Sequence, residues 1–293
     1  MELLSYSAFV IRLEKMLDKF YEGKWEHLGN VFKVNEIKQG IAIECGEGVS
    51  VVVYPTELYK AYEAEESMDV VMEIIENAIE NKNIVASISK FADWEEVKYR
   101  IKPFVINYEK NKELVEAKEL VFMRKLDLVY GYYIEIKNDV IGQAGAYVTV
   151  EMLKYWGVSE PDLYDAAKNN AQYQIVTMEM AIKNLLEDTI ACDNIDTDSR
   201  LYVLSNCDTY RGAAGMFDTD TLTAAAEKLD CNFFILPSSC HEVILVRDDG
   251  DEDAYELRNM VEEINRSELK PEDFLSDSVY YYDRDENAIK IVA

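Results

Sequence analysis

The sequence lacks the fingerprints by which many enzymes announce themselves. It has no phosphate loop and no recognisable nucleophile elbow, so nothing in it points to P-loop phosphoryl transfer or to an α/β-hydrolase serine. Histidine is scarce, with only His27 and His241. The five cysteines, Cys45, Cys192, Cys207, Cys231 and Cys240, are odd in number, scattered, and never form CxxC. A disulfide framework is therefore not expected, and free thiols in a reducing compartment fit better. A zinc site would need distant cysteines to converge, so neither metal nor cofactor is expected. No uninterrupted apolar run approaches membrane-spanning length. The N-terminal stretch MELLSYSAFVIRLEKML is broken by Arg12, Glu14 and Lys15 and has no small-residue cleavage site, so it reads as an amphipathic helix and not a signal peptide. A soluble, cytoplasmic protein is the expectation.

Positive charge is also in short supply, and that constrains partners most. Thirty Lys and Arg face 57 Asp and Glu, a net charge of −27. Such a surface repels nucleic-acid backbones and anionic membranes and leaves two attractive classes of partner, a basic protein surface or cations. An acidic surface can also imitate nucleic acid and occupy a nucleic-acid-binding protein. Solubility alone also accounts for acidity in an abundant cytoplasmic protein, and that explanation comes first. With 49% hydrophobic residues and 20 tyrosines in 293 residues, the chain has the apolar content for a sizeable core.

The pattern predicts an α+β protein with helices packed on antiparallel or mixed sheets. An opening helix, Ser5 to Tyr21, stripes Phe9, Leu13, Met16, Leu17 and Phe20 along one side. A turn over Gly23 to Gly29 and three short strands, Val31 to Ile37, Gly40 to Cys45 and Val49 to Tyr54, form a meander that turns at Gln39-Gly40 and Gly46 to Gly48. Pro55 opens a helical region that reaches Asn81 with a break near Ser67. Its carboxylates, Glu63, Glu65, Glu66, Asp69, Glu73, Glu76 and Glu80, form a face that is ordinarily just solvated. A short helix at Trp94 to Tyr99, a strand at Phe104 to Ile106 and a helix over Asn107 to Lys118 follow. The β-rich Leu120 to Ile136 bends at Gly131, and Val140 to Ala146 turns. Thr149 and Ser159 cap helices, the first closed by Gly157, and a further helix spans Thr177 to Glu187. Three regions result: residues 1–187, an acidic linker over 188–200, and residues 201–293 with a β-α-β-β-α-hairpin order.

The richest stretch runs from Leu201 to Val246. A strand to Asn206 leads into Arg211-Gly-Ala-Ala-Gly215, where two glycines permit a turn or close backbone approach. Asp218 or Asp220 caps a helix with Leu222, Ala225, Ala226 and Leu229 at helical spacing. Cys231 to Leu236 is a buried strand that Pro237 ends, and Val243 to Val246 leaves as another. The corner between them holds Ser238, Ser239, Cys240, His241 and Glu242, all nucleophile, base or acid types, and they are the catalytic candidates. In extended chain Cys240 and His241 point to opposite faces, so a Ser239–His241 pair suits catalysis better. Asn206, Arg211 and Gly212 are the ligand-binding candidates, although Gly212 and Gly215 lack a dinucleotide fingerprint. A packed, turn-stabilising His241 is the simpler reading. Downstream, Asp248, Asp249, Asp251, Glu252 and Asp253 resemble calcium ligands in type but lack EF-hand spacing, which favours a solvated turn. Beyond them, Leu257, Met260, Val261 and Ile264 line a helix at core spacing, and Ser276 to Tyr282 pairs with Ala288 to Val292.

The segments LYVLSN, RGAAGMF, FFILPSSCHEVILV, ELRNMVEEIN and PEDFLSDSVYYYD resemble a bacterial domain-of-unknown-function family, number 5688, common in gut Firmicutes. The resemblance implies a bacterial cytoplasmic origin and a shared fold, and it assigns no chemistry to any residue. The expected function is an acidic binding or regulatory protein that docks a basic protein partner, with a nucleic-acid-mimicking inhibitor from a mobile element as a narrower form. The alternative is a hydrolase or transferase with its site at the Pro237 to Glu242 corner.

Overall fold

The computed structural model describes residues 3–46, 50–80, 93–138, 142–187 and 199–293. They fall into two compact units, 1–92 and 93–293. All the sheets are antiparallel and the chain is α+β.

In the first unit, α1 (Tyr6–Phe20) is capped by Ser5 and buries Phe9, Leu13 and Leu17, while Phe20, expected in the same stripe, is exposed. The meander β1 (Trp25–Lys33), β2 (Glu36–Glu44) and β3 (Ser50–Val53) follows. Trp25 and His27 therefore lie on a strand and not in a turn. The first hairpin turns at Asn35, in the left-handed region at φ 59°. Gly40 sits inside β2 because the Val31 side chain of β1 lies over it, 2.6 Å from where a Cβ would be. The second expected turn, Gly46 to Gly48, lies partly outside the described residues. Then come α2 (Pro55–Glu65) and α3 (Met68–Glu80), separate helices divided by Glu66 at φ 51°. One face of α3 buries Met68, Val71, Met72 and Ile75 against the α1 core.

The second unit opens with α4 (Trp94–Val97), a 3-10 turn over Lys98–Arg100, β4 (Ile101–Asn107) and α5 (Tyr108–Ala117). The hairpin β5 (Phe122–Lys125) and β6 (Leu128–Asn138) turns at Leu126-Asp127, and β6 runs straight through Gly131. Gly131 is needed because the Phe104 ring of β4 lies flat on it, leaving 2.7 Å for a Cβ. Most of the expected turn at Val140 to Ala146 is strand β7 (Gly142–Tyr147), and 139–141 lie outside the described residues. The helices α6 (Val150–Trp156), capped by Thr149 and closed by Gly157, and α7 (Glu160–Asn170), with a Ser159–Asp162 capping box, form where their caps predict.

A strand the sequence did not reveal, β8 (Tyr173–Thr177), precedes α8 (Met178–Glu187). It pairs with β9 (Leu201–Asn206) as the edge of a six-stranded sheet. The expected linker lies mostly outside the described residues, and strands from both sides of it join in that sheet. A 3-10 turn over Gly212–Phe217 and α9 (Thr219–Leu229), capped by Asp218, lead to β10 (Phe233–Pro237) and β11 (Val243–Arg247). After α10 (Ala254–Ser267) and a 3-10 turn over Pro271–Asp273, β12 (Tyr280–Asp283) and β13 (Ala288–Ile291) complete the sheet in the order β13-β12-β10-β11-β9-β8. On α10 only Val261 is buried, and Met260 and Ile264 are exposed.

Candidate functional site

The corner between β10 and β11 is not extended. β10 ends at Pro237 and β11 begins at Val243, so Ser238 to Glu242 bend, and adjacent side chains no longer alternate. That bend overturns the expectation for Cys240 and His241. Their ligating atoms and a carboxylate oxygen of Asp273 lie within 4.8 Å of one another. Asp273 comes from the Pro271–Asp273 turn, whose carbonyl also accepts the Cys240 N–H at 2.8 Å.

His241 has a partner at each ring nitrogen. Nδ1 faces the backbone N–H of Arg211 at 3.1 Å, and Nε2 faces Asp273 Oδ1 at 3.2 Å. A backbone N–H only donates, so Nδ1 must accept, and in the neutral ring the proton resides on Nε2, directed at Asp273. The lone pair that a general base needs is thereby occupied. The same tautomer bears on metal binding. Cys, His and Asp are ligand types, but a ligating Nε2 needs its own lone pair while Nδ1–H donates outward, the reverse of this arrangement.

Cys240 is buried, and its Sγ lies 3.9 Å from the same Asp273 oxygen. Burial, reinforced by the Asp273 charge, pushes its thiol up from 9.0 to about 12. A nucleophilic cysteine needs the opposite shift. Ser239 is buried with its Oγ accepting the His241 N–H at 3.0 Å, and so serves the backbone and not the imidazole. Ser205 Oγ donates to the His241 carbonyl at 2.8 Å, and Glu242 contributes its carbonyl to the Ser239 N–H at 3.2 Å. Ser238 and the Glu242 side chain are half-buried.

The three ligand-binding candidates support this corner from β9 and the loop after it. Asn206 donates from Nδ2 to the Tyr210 carbonyl and accepts the Tyr210 N–H through Oδ1, at 2.7 and 3.1 Å, closing the loop 207–210 on itself. Gly212 lies so close that a Cβ would meet Ser205 Oγ at 2.3 Å, the Asn206 nitrogen at 2.4 Å and the His241 carbonyl at 2.7 Å. Only glycine fits there. Arg211, at φ 56°, turns its backbone N–H to His241 and its guanidinium into the rings of Phe104, Tyr133, Tyr147 and Tyr210, 5.0–5.5 Å from each centroid. It donates to Tyr147 Oη at 3.2 Å and has no carboxylate partner among the described residues. Burial opposes its charge, but Tyr147 and Tyr210 outweigh that and raise its pKa. Gly131 and Gly145 make the cage possible by letting the Phe104 and Tyr133 rings lie on the strands.

Sequence reasoning missed Asp273 and the aromatic cage. The only available signal for Asp273 was its place in the PEDFLSDS segment. Further along, Ser276, Ser278 and Tyr280, alternate residues, all donate to the Asp127 carboxylate at 2.6, 3.1 and 2.7 Å, which ties the β5–β6 turn to the strand β12. No helix among the described residues is long and apolar enough to cross a membrane. A family model described as "Family of unknown function (DUF5688)" matches residues 6–284. No curated protein and no solved structure matches the chain.

Proposed function

This chain belongs to that family of unknown function, and we propose that it is a non-catalytic, acidic binding protein that docks a basic protein surface. The observation that carries this reading is the α2–α3 face. Glu63, Glu65, Glu66, Asp69, Glu73, Glu76 and Glu80 are all exposed, and none forms an ion pair among the described residues. On α3 the row Asp69, Glu73, Glu76, Glu80 keeps one side of the helix by its spacing, opposite the buried Val71, Met72 and Ile75. Seven uncompensated carboxylates make a potential that a basic partner would neutralise, with attraction that weakens as salt rises. A surface that imitates a nucleic-acid backbone is the narrower form of the same idea.

The rival hydrolase or transferase at the corner draws on the convergence of Cys240, His241 and Asp273. The protonation pattern argues against it, because the thiol is held neutral and the imidazole lone pair is occupied by the Arg211 amide. The test is affinity capture from host lysate at low and moderate salt with wild type, His241→Ala and the triple variant Asp69→Asn, Glu73→Gln, Glu76→Gln. A basic partner should be captured at low salt, be lost as salt rises, and be lost with the triple variant but not with His241→Ala. Loss confined to His241→Ala would move the function to the corner.

A further inference from the structure

Two clefts within the second unit share Tyr99, Asn169 and Asn170. One, of about 310 Å³, continues past Lys102, Gln172 and Tyr173, and the other, of about 340 Å³, past Trp94, Lys98 and Asp165. Each falls at the lower end of the roughly 300–1,000 Å³ typical of small-ligand sites. None of Ser238 to Glu242 lines either one.

The shared wall is an aromatic ring held in the open. Tyr99 is 71% exposed, yet it is the middle residue of the Lys98–Arg100 turn, whose flanking carbonyls are fixed by one side chain. Asn170 Nδ2 donates to the carbonyls of Lys98 and Ile101 at 2.6 and 2.9 Å. Trp94 rests against Trp156, with centroids 5.6 Å apart. Rings positioned before a ligand arrives lose little freedom on binding.

Part of the polar lining is uncommitted, and both of its lysines are paired. The exposed amides of Asn169 and Gln172 and the Asp165 carboxylate have no protein partner among the described residues. Lys102 lies between Glu135 and Asp208, Lys98 pairs with Glu95, and Asp162 accepts from Ser159. In a chain of net charge −27, this lining is close to charge-balanced. An anion would meet lysines that are already paired, and a cation would meet the same two lysines, with Asp165 as the one lining carboxylate that has no partner among the described residues. A neutral ligand rich in hydroxyls suits both features, since its apolar ring faces stack on Tyr99 and Trp94 and its hydroxyls exchange hydrogen bonds with amides that donate and accept.

We propose that the paired clefts around Tyr99 form a binding groove for a neutral oligosaccharide. The groove is independent of the acidic docking face and stands or falls without it. The test is titration of the full chain with maltohexaose, cellohexaose, xylohexaose and chitohexaose, read by tryptophan fluorescence and calorimetry, beside a tetralysine peptide. At least one sugar should bind saturably. Tyr99→Ala should weaken it about tenfold, in line with loss of one stacking ring. Asn169→Ala should weaken it several-fold. Tyr155→Ala, which removes a ring that is 70% exposed but outside both clefts, should leave it unchanged. The altered side chains are exposed, so a thermal melt matching wild type shows that each variant has folded. The proposal is overturned by no saturable binding of any sugar in the millimolar range. It is equally overturned by sugar affinity insensitive to Tyr99→Ala and Asn169→Ala, or by binding of tetralysine with none of the sugars.

Discussion

The α2–α3 face and the β10–β11 corner are both crowded with polar side chains, and they use them in opposite ways. On that face, seven exposed carboxylates form no ion pair among the described residues. At the corner, the Ser239 hydroxyl, the Cys240 thiol and both nitrogens of His241 each face a protein partner. A residue type that suits catalysis says little until its donors and acceptors are traced. Groups already satisfied by the backbone hold the fold, while unsatisfied groups on a rigid support remain available for a partner.

The sharpest way to break that contrast is to disturb the corner where it cannot yield. Gly212→Ala places a methyl group against backbone atoms of Asn206 and His241. We expect a loss of at least about 3 kcal/mol in denaturant unfolding, or failure to fold, the upper end for overpacking. A wild-type midpoint would show that the corner is loose.

Alkaline pH acts on Cys240 in that corner and on Tyr281 elsewhere in the same sheet. Cys240 is pushed up to about 12 from 9.0, and Tyr281, half-buried and bonded to Asp248, to about 12 from 10.0. Both groups stay protonated in the folded chain at pH values where the unfolded chain has released its protons. Their contribution is complete below about pH 9 and is lost as pH rises toward about 12, on the order of a few kcal/mol in all. Cys240→Ala should flatten part of that decline, and an identical pH profile for the variant would contradict the shift.

Asp273→Asn removes the charged acceptor shared by Cys240 and His241, with an expected cost of about 2 kcal/mol. It also removes the charge that, after burial, raises the thiol. Alkylation of Cys240 at about pH 8 should therefore speed up relative to wild type. Unchanged labelling would mean that Asp273 does not govern the thiol.

Much of this architecture was legible in the sequence where the determinants are local. Ser5, Thr149, Ser159 and Asp218 cap helices that begin beside them, and Gly157 ends one in the left-handed region. The glycines inside strands were misread because their reason is a ring or side chain from a neighbouring strand. Phe104 over Gly131 and Val31 over Gly40 are contacts between strands, invisible to turn propensity. The short β8 owes its state to pairing with β9. At the site, the chemical types at Ser239, Cys240 and His241 were plain. The convergence of Cys240 and His241 on Asp273, more than 30 positions away, depended on a bend and a distant 3-10 turn.

The acidic face should give the smallest effect on folding and the largest on binding. The triple variant Asp69→Asn, Glu73→Gln, Glu76→Gln alters exposed groups with no ion pair among the described residues, so stability should stay within about 0.5 kcal/mol of wild type. The decisive measurement is calorimetric titration of the full chain with an oligoarginine peptide across a series of salt concentrations. It compares wild type, this triple variant, and a matched variant on α10, Glu256→Gln, Glu263→Gln, Glu268→Gln, which removes the same number of exposed charges elsewhere. The account predicts salt-sensitive binding that the α3 variant loses and the α10 variant keeps. Equal weakening by both variants would show that net charge alone attracts the peptide, and would contradict a docking face on α2–α3.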